Sequence, residues 1–209
     1  MIGVDLAGSP RRRTGFCRLG PGLRTVTRVL FDDGEILAAV RASRPSLVGI
    51  DAPLSLPRGR ASLETRGPPH LRACDRALRA LGVPFFPVTL GPMRMLTARG
   101  LALRASLAAE GFPAVEAYPG GAQDLLGLPR KSVGEHRLRR ALLRFGFTGE
   151  VEERELTHDE LDAILCAYTA REHLAGRSLV LGYPGEGELV LPRPRPSGRA
   201  APALAGRTR

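Results

Sequence analysis

The sequence has no tryptophan, and aromatic residues make up only 5% of its 209 residues. Proteins that bind single-stranded nucleic acid by stacking its bases rely on such rings, so a stacking platform is not expected. The three cysteines are odd in number, lie far apart and form no CxxC pair. This pattern argues against a disulfide framework and against a zinc site built from thiolates.

Long apolar runs are also missing. None approaches the roughly 18 residues that a membrane span requires, so we expect no membrane as a partner. The chain begins at Met1 and enters an apolar strand candidate at once, without the basic segment, apolar stretch and small-residue cleavage site of a secretory signal. We therefore expect a cytoplasmic location.

Acidic residues are fewer than basic ones, which leaves a net charge of +10. Half of this excess lies in residues 193–209, which contain five arginines and no acid, whereas residues 1–192 contain 26 basic and 21 acidic residues. The segment is rich in Pro, Gly, Ala and Arg, so we predict that it is a disordered tail. The basic balance permits a polyanionic partner but does not identify one.

The first quarter of the chain shows a specific order of elements, namely three strands, a helix and a fourth strand. Turn residues close the strands, and Asp32 or Asp33 can cap the helix. This order predicts an α/β protein. The predicted elements are strands Ile2–Ala7, Thr14–Leu19, Leu23–Phe31 and Ser46–Ala52 and the helix Asp32–Ala42.

Residues 54–113 look inserted into this order. They begin as a loop rich in Pro, Gly and Arg and continue as two predicted helices, Leu71–Leu81 and Met93–Glu110. We predict a single domain over residues 1–192 that contains this helical insertion. The insertion either covers one side of a site or provides a surface for a homodimer.

Carboxylates lie at the ends of three predicted strands: Asp5, Asp51 and Glu116. A carboxylate among apolar neighbours is costly to bury unless a cation, hydrogen-bond donors or a metal ion compensates it. Oxygen donors without a Cys or His cluster suit Mg²⁺ or Mn²⁺ rather than zinc. Each acid taken singly also has a simpler explanation, such as a turn cap.

Two further carboxylates belong to a late helix, which a capping box of Thr157 and Glu160 opens. Asp159 and Asp162 are about 60° apart around its axis, so they share a side. Acids in a first helical turn are also favoured by the helix dipole alone. If all these acids converge, two metal ions can activate a water and stabilise the leaving oxygen in phosphodiester hydrolysis.

Several segments resemble a widespread family of uncharacterised prokaryotic proteins that are predicted to be nucleases of ribonuclease H-like fold. The resemblance covers nearly the whole chain except the arginine tail. It implies an α/β mixed sheet flanked by helices. The segments are GVDLAGSPRRRTGF, GIDAPLSLP, PFFPVTLGPMRML, VEAYPGGAQDLLGLPRK and THDELDAILCA.

The same resemblance implies roles for individual acids. Asp5 and Asp51 correspond to the acids of the first and central strands, and Asp159 or Asp162 corresponds to the helix acid. We take Asp5, Asp51 and Asp162 as metal ligands, with Glu116 and Asp159 completing the catalytic set.

Three other side chains are candidates for substrate binding. Arg94 lies near a predicted helix start, where free N–H groups bind phosphate, and Lys131 is the sole lysine, in a loop. His158 follows the helix cap beside the acids and could donate a proton to substrate. Solvated loop residues and a surface histidine are the simpler explanations.

The function that these observations favour is a divalent-metal-dependent nuclease acting on DNA or RNA through in-line attack of water. One alternative is phosphoryl transfer from ATP, which in this fold class needs two domains clasping the nucleotide. A chain of 209 residues holds one such domain, so a dimer would have to supply the other. The other alternative is a non-catalytic nucleic-acid or nucleotide binder.

Overall fold

The structure, a computed structural model, describes residues 1–194, so most of the predicted tail (195–209) lies outside the described residues. The strands are β1 (Ile2–Asp5), β2 (Thr14–Leu19), β3 (Arg24–Leu30), β4 (Val48–Asp51), β5 (Ala114–Ala117), β6 (Thr148–Gly149), β7 (Ser178–Tyr183) and β8 (Gly187–Pro192). The helices are α1 (Asp33–Ser43), α2 (Ala73–Ala80), α3 (Gly91–Ala109), α4 (Pro119–Leu126), α5 (Glu135–Phe145), α6 (Glu150–Glu153) and α7 (His158–Leu174). Within residues 1–194, no helix combines the length and apolar character needed to cross a membrane.

These strands form one mixed sheet in the order β6-β3-β2-β1-β4-β5-β8-β7. The first three strands form an antiparallel meander. Beyond it, β4 lies parallel to β1, β5 parallel to β4 and β8 parallel to β5. The predicted α/β architecture, a mixed sheet flanked by helices, is confirmed.

The two faces of the sheet pack against different helices. Side chains alternate between faces along a strand, and Ile2, Val4 and Ile50 pack against Ile36 of α1 and Leu103 of α3. On the other face, Cys17 and Leu19 of β2 belong to the cluster that contains buried side chains of α7 and α5. Helix α7 therefore packs on the centre of this face, and α5 contributes to the same cluster.

Glycines bring α7 into backbone contact with the sheet. Gly15, Gly3 and Gly49 lie on the neighbouring strands β2, β1 and β4 and face α7. A Cβ atom on any of them would overlap backbone of α7, at Asp159, Ala163 or Cys166 respectively. The backbone of α7 consequently lies directly against the backbone of these strands, at a separation that only glycine permits.

The segment 54–113 lies between β4 and β5, and its two helices have different roles. Helix α2 packs on the β7–β8 hairpin, where Cys74 and Leu78 meet Leu181 and Leu189. Helix α3 contributes Leu103 and Leu107 to the main core. Thus α3 is part of the central domain rather than an appended cover.

We expect Gly15→Ala to lower the free energy of unfolding by about 3 kcal/mol, because its Cβ meets backbone that cannot move aside. Denaturant unfolding measures this change. Gly20→Ala is the matched control, since the nearest atom to its Cβ would be the Arg24 carbonyl oxygen at 3.7 Å, and it should change stability by less than about 0.5 kcal/mol. Equal effects of the two substitutions would contradict the close contact of α7 with β2.

Candidate active site

Two carboxylates lie side by side at the centre of the sheet. Asp5 ends β1, Asp51 ends β4, and the two residues are register partners on parallel strands. Such strands are about 4.8 Å apart. Gly3 and Gly49 precede them by two residues and face α7, so the side chains of Asp5 and Asp51 emerge on the α7 face.

Asp162 approaches this pair from α7. It is only 5% exposed. Its Oδ1 atom accepts a hydrogen bond of 2.9 Å from Nε2 of Gln123 on α4. Its Oδ2 atom lies 3.4 Å from Nδ1 of His158, one turn earlier on the same helix. The amide of Gln123 thus fixes the orientation of the Asp162 carboxylate.

The Cys166 thiol is the buried group beneath these acids. Desolvation raises its pKa well above the ordinary value, and the charges of Asp51, Asp5 and Asp162 raise it further. Three carboxylates from β4, β1 and α7 therefore all act on one side chain. The same convergence keeps Cys166 a neutral thiol, so it is not a nucleophile.

An open cleft of about 430 Å³ runs past these acids, and we call it the polar cleft. Its lining includes Asp51, Asp162, Gln123, Arg130 and Ser132. Within residues 1–194, no three His, Cys, Asp or Glu side chains are grouped closely enough to form a metal cage. Two carboxylates, those of Asp51 and Asp162, therefore line the polar cleft.

Asp159 lies at the border of this arrangement. Its side chain is 25% exposed, and its Oδ2 is 3.5 Å from Nε of Arg13. Arg13 ends the run Arg11-Arg12-Arg13, three exposed arginines in the loop that follows Asp5. Asp159 therefore pairs with a basic loop beside the acids.

Glu116 does not join the acids, contrary to the sequence prediction. It is the register partner of Ile50, so its side chain lies on the opposite face from Asp51. Both of its carboxylate oxygens accept hydrogen bonds from Arg72, at 2.6 and 2.7 Å, and the Leu54 amide donates a third at 2.8 Å.

The Arg72 guanidinium is the centre of a buried charge network. It is 2% exposed and also binds Asp75 of α2, at 2.9 and 3.2 Å. Burial opposes its charge, but Glu116 and Asp75 raise the pKa of Arg72 above its ordinary value. This network joins the insertion to β5 and accounts for Glu116 as a structural acid.

The start of α7 is held by the predicted capping box, which is confirmed. Glu160 accepts hydrogen bonds from the Thr157 amide, from Thr27 of β3 and from Arg154. Burial raises the pKa of Glu160, but the hydrogen bonds from Arg154, the Thr157 amide and Thr27 outweigh it and hold that pKa below its ordinary value. These contacts fix the helix end from which Asp162 projects.

The substrate-binding candidates are placed differently from one another. Arg94 is exposed in the first turn of α3. Lys131 begins a short 3-10 turn, and its side chain lies outside the described part of the structure. The His158 side chain is 15% exposed, and its two ring nitrogens are buried and have no hydrogen-bond partner within residues 1–194. His158 is thus the candidate in contact with the acids.

Sequence analysis missed Gln123, Tyr118 and Arg130. Tyr118 precedes α4, its hydroxyl donates to the Pro84 carbonyl oxygen at 2.6 Å, and the guanidinium of Arg130 lies 6.0 Å from its ring centroid. A Cβ on Gly120 would overlap Arg130 and crowd the Tyr118 ring. In the sequence, Pro119 after a predicted strand indicates that a helix begins here. It does not indicate which side chains of that helix face the acids.

We expect Glu160→Gln to lower stability at neutral pH by about 2 kcal/mol, because a charged acceptor of buried hydrogen bonds is lost. A folded-state pKa held below the ordinary 4.5 contributes stability that is present above that pH and lost as the pH falls. The difference from wild type should therefore shrink between pH 6 and pH 3, as followed by urea unfolding. Glu153→Gln, at an exposed residue 4.0 Å from Arg24, should show little difference at either pH.

Glu116→Gln should lower the free energy of unfolding by about 3 kcal/mol, since it leaves the buried Arg72 charge incompletely paired. The loss should be equal with Mg²⁺ and with chelator, because Glu116 faces away from Asp51. Glu188→Gln on β8, at an exposed residue, is the control. A loss of metal-induced stabilisation in Glu116→Gln would return Glu116 to the metal ligands.

Comparisons with known proteins bear on the family of this chain. A solved structure to which the chain has some similarity is that of T. thermophilus RuvC in complex with Holliday junction substrate, with 12% identity and a TM-score of 0.49, covering 84% of this chain and 97% of that chain. An identity this low supports no transfer of residue roles. No protein of curated function matches the sequence significantly.

The sequence model of one family matches residues 3–186, which include β1, the acids, the insertion and α7. The resemblance that the sequence motifs indicated is thereby confirmed at the level of family. The chain belongs to the family described as protein of unknown function (DUF429).

Proposed function

We propose that this protein is a divalent-metal-dependent nuclease that hydrolyses phosphodiester bonds of nucleic acid. The observation that carries the proposal is the in-register pair Asp5 and Asp51 on the α7 face, together with the polar cleft that Asp51 and Asp162 both line. Carboxylate oxygens from a strand end and from a helix at the edge of one cleft are donors of the kind that a hard divalent cation prefers.

The donor set fits Mg²⁺ or Mn²⁺. Both ions prefer oxygen ligands, and Mg²⁺ is commonly bound through one or two carboxylates together with waters and substrate phosphates rather than by a full protein cage. Asp5 and Asp51 would hold the ion, and Asp162 would bind it or orient its water shell. When bound, the ion supplies charge stabilisation to the phosphate and lowers the pKa of the attacking water.

The residues of the chain supply orientation and proton transfer. Gln123 holds Oδ1 of Asp162, which leaves Oδ2 directed toward Nδ1 of His158. A water attacks phosphorus, the P–O3′ bond breaks, and the products are a 5′-phosphate and a 3′-hydroxyl. His158, whose ring nitrogens are otherwise unsatisfied, would donate the proton that the leaving oxygen takes up.

The basic residues near the acids support a polyanionic substrate. Arg11 and Arg12 are exposed in the loop after Asp5, and Arg94 is exposed on α3. Arginine binds phosphate through a bidentate fork. DNA and RNA carry the same phosphate backbone, so these contacts serve either substrate, and a homodimer stays a prediction.

We expect Asp162→Asn to abolish Mg²⁺- or Mn²⁺-dependent cleavage of a labelled oligonucleotide. Asparagine keeps the oxygen that accepts from Gln123 but removes the negative charge that a hard ion needs. The melting temperature in chelator should stay the same or rise, because repulsion among the acids is relieved, while the rise in melting temperature that metal gives the wild type should disappear.

Glu116→Gln serves as the contrasting variant, since it should retain the metal-induced rise. Equal stabilisation of wild type and Asp162→Asn by metal would remove Asp162 from the site. Absence of cleavage by the wild type on single-stranded, duplex and branched DNA and RNA would contradict the nuclease function.

A further inference from the structure

A second cleft, of about 320 Å³, opens on the insertion side of Asp51, and we call it the apolar cleft. Phe85, Phe86, Met93 and Leu96 line it together with Tyr118. Asp51 and Tyr118 line both clefts. The catalytic carboxylate therefore stands between a polar compartment and an apolar one.

The aromatic walls are held in place by contacts outside the cleft. The Tyr118 hydroxyl donates to the Pro84 carbonyl oxygen, which ties the loop before α3 to the start of α4. The guanidinium of Arg79 lies 5.9 Å from the centroid of the Phe85 ring. Val83 and Val88 are buried on either side of these rings. The loop is thus anchored independently of Phe86.

Phe86 itself is 67% exposed, which is unusual for a phenylalanine in an anchored loop. Leu90 and Met95 nearby in the chain are 46% and 59% exposed. An exposed apolar group of this kind beside a cleft marks a binding surface. A ligand that fits the apolar cleft would have a flat, apolar face.

We infer that the apolar cleft binds an unpaired nucleobase of the nucleic-acid substrate, next to the phosphate that is cleaved. The inference rests on the proposed nuclease function and names the substrate class: single-stranded or locally unpaired nucleic acid. Bases stack on aromatic side chains irrespective of sequence because every base has a π face. A base stacked on both sides in a duplex cannot enter.

Charge in the cleft agrees with this occupant. Asp75 and Glu116 also line it, but both accept buried hydrogen bonds from Arg72, whose positive charge offsets one of their two negative charges. Arg79 and Arg130 stand behind the aromatic rings and make cation–π contacts with them. With both carboxylates held by Arg72, a base would lie among Phe85, Phe86 and Tyr118 while the adjoining phosphate lies beside Asp51, where the proposed metal ion would bind.

Composition alone predicted no stacking platform, and that prediction conflicts with this inference. Seven phenylalanines and three tyrosines are few for 209 residues. Three of these ten rings nevertheless gather in one cleft beside Asp51. A low aromatic content limits the number of stacking sites that a chain can form, but it does not exclude a single one.

The test uses the full chain, with Phe86→Ala, Phe86→Trp and the control Phe31→Ala, whose ring is 43% exposed elsewhere. Binding of a fluorescent single-stranded oligonucleotide, its duplex and the same strand with one abasic nucleotide is measured by anisotropy with Mg²⁺. We expect Phe86→Ala to weaken single-strand binding about 10-fold, with duplex binding unchanged. Phe86→Trp should bind as well as wild type, and Phe31→Ala should behave as wild type.

The abasic strand makes the assignment specific to the base. When the abasic nucleotide occupies the position that enters the cleft, the abasic strand should bind the wild type more weakly than the intact strand does. Its affinity should not fall further with Phe86→Ala. Equal binding of wild type and Phe86→Ala to all strands would overturn the inference. It would also be overturned if Phe86→Ala lost only self-association, measured by sedimentation, because the occupant of the cleft would then be a second copy of the chain. If the wild type cleaves nucleic acid and Phe86→Ala is unaffected, only the base subsite fails; if no cleavage occurs with any substrate, the nuclease proposal itself fails.

Discussion

The backbone contact between α7 and three sheet glycines is the constraint on which the rest of the structure depends. Gly15, Gly3 and Gly49 lack the side chains that would otherwise keep the backbone of α7 farther from the sheet. Because α7 packs closely on β2, β1 and β4, Asp162 lines the same cleft as Asp51. The contact therefore sets both the packing of the core and the spacing of the acids.

Strand register decides which acids belong to the site. Asp5 and Asp51 are register partners and follow glycines that face α7, whereas Glu116 aligns with Ile50 and faces the other way. The sequence shows that all three acids end apolar strands. It does not give the register of β5 against β4, and a shift of one residue reverses the face of every side chain. For this reason the pairing of Glu116 with Arg72 could not be predicted.

Elements with strong local signals were predictable. The strand Thr14–Leu19, the Asp32 cap of α1 and the capping box of α7 agree with the structure. The two-residue strand β6 and the one-turn helix α6 were missed because they are too short to show a period. Gln123 and the aromatic cluster were missed for another reason, since contacts between segments far apart in sequence leave no local pattern.

Hydrogen bonding to Arg72 explains how buried acids and an apolar compartment can be neighbours. An uncompensated Glu116 or Asp75 would repel phosphate from the cleft beside Asp51, and both would be costly to bury. Arg72 satisfies them with hydrogen bonds of 2.6 to 3.2 Å and anchors α2 at the same time. Asp5 and Asp51 end their strands on the α7 face, outside this network. One buried arginine thus holds Glu116 and Asp75 in a structural network that is separate from the acids proposed to bind metal.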